Sequence, residues 1–190
     1  VQLQPLDTAS ITARVLACPA RLGGTRLVVV DGPAGSGKST VAARLAAALD
    51  GAQVVHMDDL YEGWTGLGDD VWRRLRDQVL APLQAGRPGR YRRYDWDAGR
   101  FAEGHDVPVA PVLVVEGVGA AARPVEPLPS LRVWVEAPEA LRLQRGLERD
   151  GEALRAEWLA WAAREQAHFT ADGTQARAEI LVDGSVPPAG

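Results

Sequence analysis

The sequence predicts a three-layer α/β fold built on a parallel sheet, and three observations carry that expectation. Short apolar runs bounded by turn residues recur at 27–30 (LVVV), 52–57 (AQVVHM), 112–115 (VLVV), 131–135 (LRVWV) and 179–182 (EILV). Apolar residues at helical spacing fill the intervals between those runs. The first run leads into GPAGSGKST at 32–40, a glycine-rich turn that opens a helix.

The first and third runs consist almost wholly of Val and Leu without alternation, as expected of strands buried on both faces. Helices must then cover both sides of the sheet. Residues 38–50 present Val41, Leu45 and Leu49, and residues 69–85 present Trp72, Leu75, Val79 and Leu83. Two further helices are predicted at 138–149 and at 152–169, the latter carrying Leu154, Trp158 and Trp161. Gly51, Gly86 and Gly151 stand where helix C-terminal glycines belong. Strand and helix in alternation give right-handed crossovers. The Pro/Gly/Arg-rich stretch 85–111 reads as a loop or hairpin over the site, and the final DGSVPPAG as a trailing loop.

Composition narrows the function. At 190 residues, 46% apolar and 24% charged, the chain suits one globular domain over 1–190. No run approaches the roughly 20 apolar residues of a membrane helix, and residues 1–25 lack the order of a signal peptide. A cytoplasmic protein with no membrane partner is expected. Cys18 is the one cysteine, so neither an internal disulfide nor a thiolate metal cluster can form. A net charge of -4 argues against a protein that coats nucleic acid. The 21 basic residues are 20 Arg and one Lys, and that lysine is Lys38, within the glycine-rich turn. A chain that otherwise uses Arg has kept a compact ammonium at this one position.

GPAGSGKS fits the G-x-x-x-x-G-K-[ST] pattern of a phosphate-binding loop, in the strand-to-helix context that its mechanism needs. Gly32, Gly35 and Gly37 let the backbone curl, so that amides through Ala34, Ser36 and Thr40 point at phosphate oxygens. The helix N-terminus adds partial positive charge. Lys38 would reach the β- and γ-phosphates and the Ser39 hydroxyl a Mg²⁺ ion. The absence of Asn removes the Asn-Lys-x-Asp base reader of a guanine-specific switch, and no His-Arg-Asp of a protein kinase is present.

The second strand ends in HMDDLYEGW, where an acceptor should lie in an open α/β sheet. Asp58 is the candidate base for an acceptor hydroxyl, with Asp59 the rival, since alternation turns one toward the cleft and the other away. Glu116, closing VLVVE, suits a Mg²⁺ ligand together with Ser39. Arg142, Arg145 and Arg149 fall on one face of 138–150. They could close over the transferring phosphoryl as a lid, or form a solvated face paired with Glu139 and Glu148.

Asp-Gly-Pro-Ala-Gly-Ser-Gly-Lys-Ser-Thr (31–40), Met-Asp-Asp-Leu-Tyr (57–61), Gln-Ala-Gly-Arg-Pro (84–88), Tyr-Asp-Trp (94–96), Val-Val-Glu-Gly (114–117) and an Arg-rich segment ending Arg149-Asp150 together resemble the uridine kinase group of P-loop kinases. That group also holds phosphoribulokinase, bacterial pantothenate kinase and nicotinamide riboside kinase branches. The resemblance runs from about Arg26 to Asp183. It implies a P-loop NTPase fold with a five-stranded parallel core, MgATP as donor and a small-molecule hydroxyl acceptor, with a nucleoside as the foremost expectation. It also implies Asp58 as base, Tyr61, Tyr94 and Asp95 at the acceptor, and Arg142, Arg145 and Arg149 at phosphates, with Arg142 and Arg145 assisting catalysis. Arg100, in the same stretch as Tyr94, joins the expected acceptor contacts. One departure stands out: uridine kinases carry a His after Tyr-Asp, and Gly99 occupies its place here.

The five arginines within 87–100 leave a second reading, an acceptor already anionic. A nucleotide-binding regulatory module with little turnover is the reading from another class.

Overall fold

The computed structural model describes residues 2–186; the end of the predicted trailing loop, 187–190, lies outside them. In chain order the elements are α1 (Thr8–Ala17), β1 (Arg26–Asp31), α2 (Lys38–Ala48), β2 (Gln53–His56), α3 (Asp69–Leu75), α4 (Ala81–Gln84), β3 (Gly89–Asp95), β4 (Arg100–Val107), β5 (Val112–Glu116), β6 (Pro129–Glu136), α5 (Glu139–Asp150), α6 (Arg155–Asp172) and β7 (Ile180–Asp183). Five of the strands form a parallel sheet in the order β2-β5-β1-β6-β7. β3 and β4 form a separate antiparallel hairpin.

Alternate residues of the sheet feed two cores. Val28, Val30, Val112, Val114, Val133 and Val135 turn to α1 and α2, where Ile11, Val15, Val41 and Leu45 meet them. Leu27, Val29, Val55, Leu113 and Val115 turn to the other side, against Val71, Leu75, Val79, Leu83 and Trp161. The sheet is thus dry on both faces, as its unalternating Val and Leu demand. Each wholly buried side chain of this kind contributes about 1.5–3 kcal/mol.

Three details extend or adjust the sequence expectations. α1 is an added helix, capped by Asp7, whose Oδ1 accepts from the Ser10 N–H at 3.0 Å. The helix expected over 69–85 contains one wide π turn, Arg76–Leu80, between α3 and α4. Pro82 supplies the cause: it has no N–H for the carbonyl four residues back, and its ring crowds that carbonyl. The stretch 85–111 resolves into the β3–β4 hairpin, its register shifting between Arg92 and Tyr94.

The sheet brings the chemistry to one edge. β1 lies between β5 and β6, with Val30 level with Glu116 and Asp31 level with Trp134. His56 of β2 is also level with Glu116. The C-terminal ends of β1, β2 and β5 therefore share one rim, where ligands bind in open α/β sheets.

Candidate active site

The glycine-rich loop leaves β1 at that rim and is gripped from both sides. Gly32 has φ 140° and an added Cβ would lie 2.1 Å from the Val135 carbonyl oxygen; Gly35, at φ 77°, would put one 2.5 Å from that of Arg142. Only glycine fits at either place. Asp31 fixes the loop from below: Oδ1 accepts from the Gly32 and Gly119 N–H groups at 2.7 and 2.9 Å, and Oδ2 from the Ala121 N–H at 2.8 Å. Burial pushes its pKa up to about 6 despite those bonds.

Lys38 opens α2 and is buried, and its Nζ donates to the Pro33 carbonyl at 2.9 Å. The ammonium folds back over its own loop, and an anion seated there would take over that donor. Ser39 Oγ donates to Glu116 Oε1 at 3.0 Å, and the same oxygen meets His56 Nδ1 at 2.6 Å. Burial acts upward on Glu116, but His56, Lys38 and Ser39 outweigh it and hold the carboxyl below its ordinary range. His56 is raised in turn by that hydrogen bond.

The two aspartates after β2 part company. Asp58 lines the cleft beside Lys38, Ser39 and Glu116, and the surrounding walls, then the Glu116 charge, raise its pKa. Asp59 turns to the hairpin, where Oδ2 accepts the Tyr91 hydroxyl at 2.8 Å. β2 ends at His56, and it is the 3-10 turn Met57–Asp59, not strand alternation, that turns Asp58 to the cleft and Asp59 away.

The three α5 arginines also divide. Arg149 lines the cleft, its guanidinium held by Asp150 at 2.7 and 2.9 Å and lying 5.6 Å from the Trp158 ring centre. Arg145 lines it too, donating to the Gly35 and Gly184 carbonyls at 3.2 and 3.0 Å. Arg142 departs from the expectation: it lies behind the loop, paired with the buried Glu165 at 3.0 Å and donating to the Ala137 carbonyl. Glu165 also accepts the Ala34 N–H at 2.8 Å and the Trp161 indole N–H at 3.1 Å. The Ala34 amide is thus spent on α6 rather than open to a phosphate. Geometry makes Arg142 and Glu165 a brace under the loop, because the buried Glu165 carboxylate needs a fixed counter-charge.

The cleft itself has a volume of about 280 Å³. The loop, Ser39 and Glu116 form one end; Tyr61, Trp64, Trp96, Trp158 and Trp161 form the other. Tyr61 is almost wholly buried, donates to the Val118 carbonyl at 2.5 Å and meets Trp161 edge-on at 5.0 Å. Tyr94, Asp95 and Arg100 are not among the described residues lining this cleft. Tyr94 packs edge-on against Trp96 and Phe101, and Asp95 caps the hairpin turn through the Ala98 N–H at 2.9 Å. The tight turn after Tyr94 presents Trp96 inward in their stead. His168 stacks near Trp72 and Phe169, a packing role.

The hairpin arginines are engaged within the hairpin. Arg90 pairs with Asp106 at 2.6 Å, Arg93 with Glu103 at 2.6 Å, and Arg92 donates to the Phe101 and Ala102 carbonyls at 2.6 and 3.0 Å. None of these three is among the described residues that line the cleft. A second hollow of about 260 Å³ adjoins the loop on its other side, lined by Leu6, Thr40, Arg145, Val182, Asp183 and Val186.

Among the described residues no three His, Cys, Asp or Glu side chains converge on a metal position. Ser39 and Glu116 offer two oxygen donors, which suits an ion that takes its remaining ligands from phosphate and water.

Comparison with solved structures places the architecture. The structure of a possible uridine kinase from Bacillus stearothermophilus matches 93% of this chain and 97% of its own, with a TM-score of 0.67 and 20% identity. That of a provisionally named fructose transport system kinase from Silicibacter sp. TM1040 matches 94% of this chain and 98% of its own, with a TM-score of 0.71 and 20% identity. This chain has a P-loop NTPase fold. No family model and no curated protein matches the sequence. No described helix is long and apolar enough to cross a membrane.

The sequence reading passed over Asp31 and Glu165 and treated the tryptophans of α6 as core. Asp31 had a signal of its own: it closes a Val run just as Glu116 does.

Proposed function

We propose that the protein is a cytoplasmic ATP-dependent kinase that transfers the γ-phosphoryl of MgATP to the hydroxyl of a small acceptor, foremost a nucleoside-like one. The observation that carries this reading is the meeting, in one cleft, of Lys38 and the loop amides with Asp58, across from Ser39 and Glu116. The loop amides and Lys38 would hold the β- and γ-phosphates. Ser39 and Glu116 would hold Mg²⁺, which supplies charge neutralisation between the phosphates. Asp58 would accept the acceptor's proton and align its oxygen with the phosphorus. Its raised pKa is suited to taking up a proton during transfer. Arg145 and Arg149 would face the charge that spreads over the phosphoryl oxygens. The base of the donor fits the adjoining hollow, which shares Gly37, Thr40 and Arg145 with the cleft. The fold shared with structures named as kinases supports the same reading.

The test is ADP release from MgATP against a panel of hydroxyl acceptors, with Lys38→Ala as the blank. Asp58→Asn should keep ATP affinity and lose at least about 100-fold in turnover, the span of general-base catalysis. Asp59→Asn should stay within a few-fold of the parent. Near-full turnover by Asp58→Asn, or equal loss in both variants, would overturn the assignment of the base.

A further inference from the structure

The far end of the cleft has an unusual chemistry for a site meant to recognise a polar molecule. Its wall is Tyr61, Trp64, Trp96, Trp158 and Trp161, and Trp64 sits at the middle of the group, with ring centres of Trp96, Trp158 and Trp161 at 5.5, 6.0 and 6.2 Å. Four of the five polar side-chain atoms on these residues are already engaged. The Trp96 indole N–H donates to the Asp58 carbonyl at 3.1 Å, that of Trp158 to Asp150 at 3.1 Å and that of Trp161 to Glu165 at 3.1 Å. The Tyr61 hydroxyl is committed to the Val118 carbonyl. What remains for a ligand is ring face, ring edge and the single indole N–H of Trp64, which makes no hydrogen bond among the described residues. The charged groups of the cleft come from the loop, the turn after β2, the end of β5 and α5, and Asp150 is neutralised by Arg149.

We infer that the acceptor is an alcohol carrying a neutral aromatic ring, held at this wall by stacking and edge contacts, with at most one hydrogen bond to the ring's edge, from the Trp64 indole N–H. The inference rests on the phosphotransfer reading above for the word acceptor, but the ring seat is a binding property and can be measured without turnover. A pyrimidine base could give one carbonyl to the Trp64 N–H but would leave its other carbonyl and N–H groups unpaired against indole carbon, and buried polar groups without partners are costly. A ring without such groups loses nothing there and gains the attraction of aromatic pairs. A cationic ring would meet the Arg149 guanidinium, which already lies over Trp158. Gly99, at the position where the uridine kinase pattern has a base-contacting His, is consistent with the same choice.

The experiment compares ribose, phenyl β-riboside and uridine as probes, with both binding and turnover measured. Intrinsic fluorescence reports binding, because four of the chain's six tryptophans line the cleft. Phenyl riboside should quench it and bind at least about 10-fold more tightly than uridine or ribose, and should be the best of the three in kcat/KM. Trp96→Phe keeps a ring but loses the bond to the Asp58 carbonyl, whereas Trp96→Ala loses both. The alanine variant should weaken phenyl riboside binding about 5- to 10-fold and the phenylalanine variant far less, with ATP affinity as the internal reference. Uridine preferred over phenyl riboside, ribose equal to either, or no effect of Trp96→Ala would overturn the ring seat. Tight binding of phenyl riboside with no ADP release from any probe would support the ring seat and count against the kinase reading instead.

Discussion

Asp31 stores a measurable pH dependence in a single side chain. Burial raises its pKa from 3.8 to about 6, so the native state holds this proton more firmly than the unfolded chain does. The group therefore favours folding below about pH 4, and that contribution disappears as the pH climbs through 6. The shift corresponds to at most about 3 kcal/mol. Asp31→Asn removes the titration and leaves the Ala121 N–H without a carboxylate oxygen, a loss of about 1 kcal/mol. In urea unfolding at pH 4 and at pH 6.5, the variant should gain on the parent by up to ~3 kcal/mol between the two. Parallel curves would mean that the carboxyl titrates alike in both states. The site residues legible in sequence were those with a motif or a strand end to mark them, such as Lys38, Ser39, Asp58 and Glu116. Glu165 had neither: it lies mid-helix, and only tertiary structure brings it to the Ala34 amide.

At the scale of elements, α6 supports the phosphate loop through one carboxylate. Glu165 joins Ala34 of the loop, Arg142 of α5 and Trp161 of α6 itself. Glu165→Ala would leave the Arg142 guanidinium buried without its partner and the Ala34 N–H unsatisfied. The expected cost is about 3 kcal/mol or more, seen as a Tm lower by ~10 °C, with Glu165→Gln milder because it keeps an acceptor for the amide. A change under 2 °C for the alanine variant would refute the brace. The major elements were readable because unalternating Val and Leu runs and 3.6-residue spacing both survive in a single sequence. α1 also had a pattern, Ile11 and Val15 four apart behind the Asp7 cap, but a single i, i+4 pair is weak evidence. The arginines of α5 looked alike on one helix face. Their division into Arg142 beneath the loop and Arg145 and Arg149 in the cleft depends on where α6 packs, which periodicity does not report.

For the molecule as a whole, ligand and stability should be linked through the loop. MgATP at 100 times its Kd should raise the unfolding free energy by about 2.7 kcal/mol and the Tm by ~5–10 °C. Lys38→Ala should abolish the shift. A shift of equal size in that variant would mean that the nucleotide binds elsewhere. The two-sided sheet explains why such a shift would be cooperative: the loop, β1 and the two cores share the same strands, so the loop cannot loosen alone.

The β3–β4 hairpin stands apart from that sheet, tied to the rim by the Tyr91 bond to Asp59 and the Trp96 bond to the Asp58 backbone. Seen as a design, it is a cover with a fixed base and an exchangeable tip. Its base belongs to the core, through the buried Tyr91 and Val107, so only the strand ends and turn around Trp96 could be exchanged for another sequence, changing that wall of the cleft while the glycine-rich loop stayed untouched.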